Sequence, residues 1–186
     1  MIQRIGGGKW YQAKPVGQLL FLFCYWQSWI IFALINFNKS DKMGPQVGQA
    51  APDFSLPDLV GNQLSLTDLR GKVILLNFWG SWCDPCKKEM PDLEQVYQAY
   101  KDKGVVVLGV NIGESKVTAK GFMDRLGITF PTVLDADRDV TLNKYKIGPI
   151  PTSFFIDRKG VIQHVYTGPM SAGYIENQIQ TLLSQQ

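Results

Sequence analysis

Cysteine, histidine and one-sided charge are all scarce in this chain, and each shortage excludes a class of function. Three cysteines, Cys24, Cys83 and Cys86, are too few for a disulfide framework, which would place more of them in a smaller domain. The single histidine, His164, restricts the metal sites that could be built. No block of like charges marks a nucleic-acid tail. The formal net charge of +3 is unevenly spread: Arg4, Lys9, Lys14, Lys39 and Lys42 face only Asp41 in residues 1–43, and the remainder is slightly acidic. The basic character therefore belongs to the N-terminal segment and gives no nucleic-acid-binding domain. There is no internal repeat and no low-complexity tract. What is present is a chain of 186 residues, 45% of them hydrophobic, which suits one globular domain with an appendage.

The appendage is N-terminal. No residue from Pro15 to Asn38 is charged, and Leu19 to Ile35 is almost wholly apolar. About 20 such residues cross a bilayer as a helix, so residues 16–37 read as a transmembrane anchor. Arg4, Lys9 and Lys14 precede it and favour a cytoplasmic side for residues 1–15, although Lys39 and Lys42 make the bias modest. The large domain is then expected on the extracytoplasmic side of the cell membrane. A cleaved signal peptide would need a shorter apolar core and a small-residue cleavage site, which Phe32-Ala-Leu-Ile-Asn36 matches poorly. A buried core helix is the third reading of the same run. Cys24 reads as a lone apolar cysteine in the membrane helix. Residues 38–49 are polar and rich in turn formers, a short linker to a folded domain at 50–186.

Within that domain the pattern is mixed α and β. Phe54-Ser-Leu56 and Gln63-Leu-Ser-Leu66 flank Val60-Gly-Asn62 and suggest a small hairpin. Val73 to Trp79 is nearly continuous apolar sequence, as a strand buried on both faces requires. Cys86, Met90, Leu93, Val96, Tyr97 and Tyr100 recur at helical spacing, and Gly104 ends the run. Val105 to Val110 is a second buried strand, residues 115–126 a helix stopped by Gly127, residues 132–134 a short strand and 137–145 a short helix. Residues 152–156 and 161–166 make a hairpin around Asp157-Arg-Lys-Gly160, and 171–183 a closing helix. This order predicts an α/β domain with a central sheet covered by helices and antiparallel strands at one edge.

Cys83-Asp84-Pro85-Cys86 falls where a buried strand gives way to a helix. Free N–H groups and the positive end of the helix dipole favour an anion there. A thiolate at Cys83 is such an anion, so its pKa should fall and its nucleophilicity at neutral pH should rise. Pro85 stiffens the first turn, where its missing N–H costs nothing. Cys83, nearer the helix tip, is expected to be the exposed attacking thiol, and Cys86 the shielded thiol that resolves the mixed disulfide. Asp84 and Pro85 lie between the sulfurs and influence their potential. Two other readings of the pair stay open. Zinc needs four ligands, and only His164, Cys24 or scattered carboxylates could complete the set. A purely structural disulfide would close so short a loop that it restrains little unfolded-chain entropy.

Asn77-Phe-Trp-Gly-Ser-Trp-Cys-Asp-Pro-Cys-Lys-Lys-Glu-Met-Pro91 resembles the active-site block of the thioredoxin-like TlpA/ResA family. Ala51-Pro-Asp-Phe-Ser-Leu56, Asn111-Ile-Gly-Glu-Ser-Lys116, Val133-Leu-Asp-Ala-Asp-Arg138 and Gly148-Pro-Ile-Pro-Thr-Ser-Phe154 resemble it too, in order, over essentially all of 48–183. The resemblance implies a thioredoxin-like fold with an added N-terminal β-hairpin and a membrane anchor. It implies a thiol–disulfide oxidoreductase with no cofactor beyond its own Cys83–Cys86 couple. ResA-like members reduce the disulfide of the haem-binding Cys-x-x-Cys-His motif of apocytochrome c, and a transmembrane thiol carrier of the CcdA type re-reduces them. By the same resemblance Ile150-Pro151 takes the family's cis-proline position, where its backbone would pair with the substrate chain, and Glu89 lines the cavity near the cysteines and tunes their reactivity. The residue pattern alone leaves Pro151 as a strand-starting proline and Glu89 as a solvated helix carboxylate.

Trp79 is explained by core packing, whereas Trp82, next to Cys83, is expected to form a partly exposed wall for substrate. Glu114 borders the same cleft or is a surface loop acid, and His164 is structural. A peroxiredoxin would show Pro-x-x-x-Thr/Ser-x-x-Cys, but Leu76 and Gly80 stand at those positions. A thioredoxin-like copper-delivery module, with His164 as a ligand, is the alternative from another class. A reductase serving some other exported-protein pathway is the alternative within this one.

Overall fold

The computed structural model describes residues 44–185. The expected cytoplasmic segment 1–15, the expected anchor at 16–37 and Cys24 lie outside the described residues. Among the described residues no helix is long and apolar enough to cross a membrane.

The elements follow one another as β1 (Ser55–Pro57), β2 (Gln63–Ser65), β3 (Val73–Trp79), α1 (Asp84–Tyr100), β4 (Val105–Ile112), α2 (Lys116–Leu126), β5 (Thr132–Asp135), β6 (Thr152–Ile156), β7 (Ile162–Thr167) and α3 (Ala172–Ser184). β1 and β2 pair as the expected antiparallel hairpin. The other five strands form a mixed sheet in the order β5-β4-β3-β6-β7. β3, β4 and β5 run parallel, joined through α1 and α2, while β6 and β7 add antiparallel strands on the other side of β3.

β3 and β4 are buried along their whole length, because the sheet is covered on both faces. Alternation along β3 divides the core. Val73, Leu75 and Trp79 face Leu93 and Val96 of α1, Phe122 of α2 and Ile175 and Ile179 of α3. Ile74, Leu76 and Phe78 face the other way, toward Phe54, Leu66 and Tyr145. On this second face Phe78, Tyr145 and Phe154 form an aromatic cluster with ring centroids 5.0 to 5.9 Å apart. The Tyr145 hydroxyl donates to the Pro52 carbonyl at 2.8 Å and so ties in the segment that leads to the hairpin. Gly48 N–H donates to Ile162 O and Ile162 N–H to Gln49 O, which joins the chain just before the domain to the start of β7.

Local chemistry sets the helix ends. Ser115 and Ser171 cap α2 and α3 by accepting N–H bonds from Thr118 and Tyr174. Gly104 and Gly127 take up φ of +78° and +67°, which lets the chain turn out of its helical course at both places. Pro91 lies inside α1 on its exposed side and cannot donate back to the Lys87 carbonyl, and the buried side of the helix carries it through.

One expected element differs. The short helix read at 137–145 is a single π-type turn, Val140–Lys144. Its start is capped by Asp135, a fully buried carboxylate at the end of β5. It accepts the Val140 and Thr141 N–H groups at 3.2 and 2.7 Å, together with the Thr141 hydroxyl. These are first-turn donors that no helix carbonyl would meet, and the π-type closure is the Tyr145 N–H bonding to the Val140 carbonyl five residues back.

Gly109 of β4 marks the tightest packing on the helix-covered face. A Cβ there would lie 2.6 Å from Thr132 Oγ1 and 2.8 Å from Trp79 Nε1. Gly109→Ala should therefore destabilise the protein by about 1–3 kcal/mol, the usual cost of overpacking. Urea denaturation of the oxidised protein measures this, and an unchanged midpoint would contradict the packing described.

Candidate active site

The pair lies at the carboxyl end of β3, in the first turn of α1. Cys83 has extended backbone (φ −90°, ψ 106°) and serves as the N-cap, with Asp84 and Pro85 following as the first helical residues. Cys83 and Cys86 form a disulfide. The Cys86 N–H donates to Cys83 Sγ at 3.1 Å, so the sulfur accepts a bond that a Ser or Asp side chain accepts in an ordinary cap. A thiolate in the same place would gain a charge-assisted bond and the favourable end of the helix dipole. Asp84 is exposed and pairs with Lys87 at 2.7 Å, which holds its carboxyl below the usual range.

Exposure departs from the expectation. Cys83 is only 5% exposed and Cys86 1%, so the order is as expected but Cys83 is not an open thiol in the disulfide state. The physical reason is its neighbours. Bonding to Cys86 turns the sulfur into the first helical turn, and Cys83 Sγ rests 3.7 Å from the Ile150 carbonyl oxygen. The Ile150–Pro151 peptide is cis, as the resemblance implied. Ile150 is half-buried, and Gly168 N–H donates to Pro151 O at 2.8 Å. Trp82, by contrast, is 61% exposed beside the buried pair.

Glu89 is the least expected feature by burial, because it is 1% exposed on a helix whose neighbouring Lys87 and Lys88 face water. Its Oε1 accepts from Asn77 Nδ2 at 2.5 Å and its Oε2 from the Met170 N–H at 3.0 Å. Asn77 Nδ2 also donates to Ser153 Oγ at 2.9 Å. Burial pushes the Glu89 carboxyl up to about 7, against the pull of the Met170 and Asn77 donors, and Asp92 adds to the rise. One buried cluster thus joins α1, β3, β6 and the turn before α3.

From the sequence no role is expected for Asn77, Ser153 or Met170. A signal for Asn77 existed. It alternates onto the same face as Leu75 and Trp79 in an apolar strand, and a polar side chain buried there needs a partner. Nothing in the sequence pointed to Met170, whose contribution is a backbone N–H. Glu114 is bonded to the residue before Trp82: its carboxylate accepts from the Ser81 N–H and hydroxyl and from Asn111 Nδ2. His164 pairs through Nε2 with the Tyr174 hydroxyl at 2.6 Å and lies among the rings of Phe155, Tyr166 and Tyr174. Among the described residues no group of three or more His, Cys, Asp or Glu side chains is placed to hold a metal ion.

Known proteins share this arrangement of elements. The AhpC/TSA family profile matches residues 47–165. The thiol-disulfide oxidoreductase ResA of Geobacillus kaustophilus is 45% identical over 143 residues, which cover 77% of this chain and 82% of that protein. The thiol-disulfide oxidoreductase ResA of Bacillus subtilis is 41% identical over 161 residues, 87% of each. Among solved structures, a putative thiol:disulfide interchange protein DsbE from Chlorobium tepidum superposes with a TM-score of 0.70 at 34% identity, covering 76% of this chain and all of that one.

The raised Glu89 pKa carries a stability consequence of definite sign. The folded protein holds this proton more tightly than the unfolded chain, so the stabilisation is complete below about pH 4.5 and is lost as pH rises toward 7. Compared with Glu89→Gln, which does not titrate, the wild type should lose about 3 kcal/mol between those limits. Denaturation of both oxidised proteins at pH 4.5 and pH 8 checks this. A constant difference between them would contradict the burial cost.

Proposed function

The chain belongs to the AhpC/TSA family, with ResA thiol-disulfide oxidoreductases among its relatives, and from that membership we propose that it reduces protein disulfides on the extracytoplasmic face of a membrane. The carrying observation is Cys83 Sγ at the helix cap, bonded by the Cys86 N–H and lying against the Ile150 carbonyl. In the reduced protein the same cap would favour a thiolate at Cys83, beside the Ile150 carbonyl.

The steps follow from thiol chemistry. In the reduced protein the Cys83 thiolate attacks one sulfur of a substrate disulfide, and the other substrate sulfur leaves as a thiolate. Cys86 then attacks Cys83 Sγ, the mixed disulfide breaks, and the second substrate sulfur leaves. Two electrons have passed to the substrate, and the protein is left as the Cys83–Cys86 disulfide. Glu89, one turn along α1 from Cys86, is the proposed proton handler, since a carboxyl near 7 exchanges its proton at neutral pH. Its negative charge would in turn discourage a thiolate nearby, so the two ionisations compete. Ile150 and Pro151 are the proposed docking edge for the substrate backbone, Trp82 an apolar wall beside it, and Asp84 and Pro85 the residues that set the couple's potential.

The proposed substrate is the oxidised Cys-x-x-Cys-His segment of apocytochrome c, before haem attachment. The proposed electron donor is a transmembrane thiol carrier of the CcdA type. Residues 16–37 are the proposed anchor. A domain held outside the cytoplasm has no direct access to cytoplasmic reductant, so its electrons must cross the membrane. Peroxide reduction is not favoured, since Leu76 and Gly80 supply neither the proline nor the hydroxyl of the peroxiredoxin pattern.

Three outcomes test the reading. The Cys83–Cys86 couple should have a potential of about −270 mV or lower, and a value near −120 mV would mean an oxidant. Cys86→Ser should accumulate a mixed disulfide through Cys83 with an oxidised Cys-x-x-Cys-His peptide, detectable by mass, and Cys83→Ser should not. In Glu89→Gln the rate of disulfide exchange should fall about tenfold or more and lose its inflection near pH 7, on the scale of general acid–base contributions. A pH–rate profile identical to wild type would remove Glu89 from the mechanism.

A further inference from the structure

Glu114 is a carboxylate whose bonds all go to its own domain's neutral groups. Oε2 accepts the Ser81 N–H at 2.8 Å, Oε1 accepts the Ser81 hydroxyl at 2.5 Å, and Asn111 Nδ2 donates to Oε2 at 2.7 Å. Ser81 is thereby gripped at two points, and it stands directly before Trp82 and two residues before Cys83. The loop that carries Glu114 is itself held, for the Gly113 N–H donates to the Asp135 carbonyl at 2.9 Å. Trp82 exposes 61% of its surface, yet its indole is not loose. A Cβ on Gly80 would lie 2.7 Å from both Cε2 and Nε1 of that ring, so the indole folds back across the bare glycine.

A large aromatic held at the surface by a clamp behind it is what a contact wall requires. Rigid aromatic groups give contact area at little entropic cost, provided they are already in place. We propose that Glu114 is a positioning residue which, by gripping Ser81, holds Trp82 as a fixed apolar wall for a docked polypeptide disulfide. The inference rests on reading the Cys83–Cys86 pair as a protein-disulfide reductase. It adds that discrimination between a polypeptide disulfide and a small one is set through Trp82 from behind, by a residue that does not touch the reacting sulfurs.

The test is a double-mutant cycle on the full-length reduced protein. Two oxidants are compared: an oxidised Cys-x-x-Cys-His peptide and the small aromatic disulfide 5,5′-dithiobis(2-nitrobenzoic acid). Glu114→Ala is expected to lower kcat/KM for the peptide about tenfold more than the rate with the small disulfide, with the loss in KM. Trp82→Ala should give a similar bias, and the double variant should lose no more than Trp82→Ala alone. Glu114→Gln keeps an oxygen for the Ser81 N–H and should lose less than Glu114→Ala. If Glu114→Ala does not fold, Ser81→Ala, which removes the hydroxyl arm of the clamp, enters the same cycle. Losses that multiply in the double variant, or equal slowing of both oxidants, would overturn the role of Glu114 with the reductase reading intact. A wild type that reacts with neither oxidant would overturn that reading and this inference with it.

Discussion

A carboxylate kept out of water along the active-site helix is the constraint to which the surrounding structure answers. Burying Glu89 is costly unless its oxygens are met by donors. Asn77 reaches one from the middle of β3, and the Met170 N–H reaches the other from the turn before α3. Asn77 in turn holds Ser153, two residues after Pro151. The same turn is fastened to Pro151 by the Gly168 N–H. Satisfying one carboxylate therefore fixes the relative placement of α1, β3, the start of β6 and the chain entering α3. Those are the pieces that surround the disulfide.

Two opposed influences then act on the sulfurs. The helix cap offers an N–H and a favourable dipole to an anion at Cys83. A charged Glu89 further along the helix works against that anion, and its burial places its own ionisation near neutral pH. Cys83 is also shielded in the disulfide state. In that state the sulfur lies against the Ile150 carbonyl, with Trp82 exposed beside it in the chain.

Much of this was legible in the chain itself. The apolar run from Val73 to Trp79, the helical spacing from Cys86 to Tyr100 and the stops at Gly104 and Gly127 are local patterns, and they gave strands and helices within a residue or two of those observed. The cysteine pair was placed on the right turn because a strand–loop–helix boundary is itself a local pattern. What local pattern could not supply was partnership across the sheet. Asn77 has no evident role within an apolar strand until Glu89 is placed against it. The segment 137–145 read as a helix because its own residues permit one, and the Asp135 carboxylate of β5 instead starts a short turn at Val140 and Thr141. Cys83 read as exposed because a helix tip usually is, and the chain around Ile150 covered it.

The sequence by itself placed the two sulfurs proposed to react one turn apart at a helix cap, with scarce alternatives for any metal. Spacing alone is enough for that, since a helix turn brings residues three apart together. The tertiary structure decided the surroundings of those atoms. It buried Glu89, brought Ile150 and Pro151 against Cys83, and set Glu114 behind Ser81. Each of these depends on contacts between residues distant in the chain, which only the packed sheet brings within bonding distance.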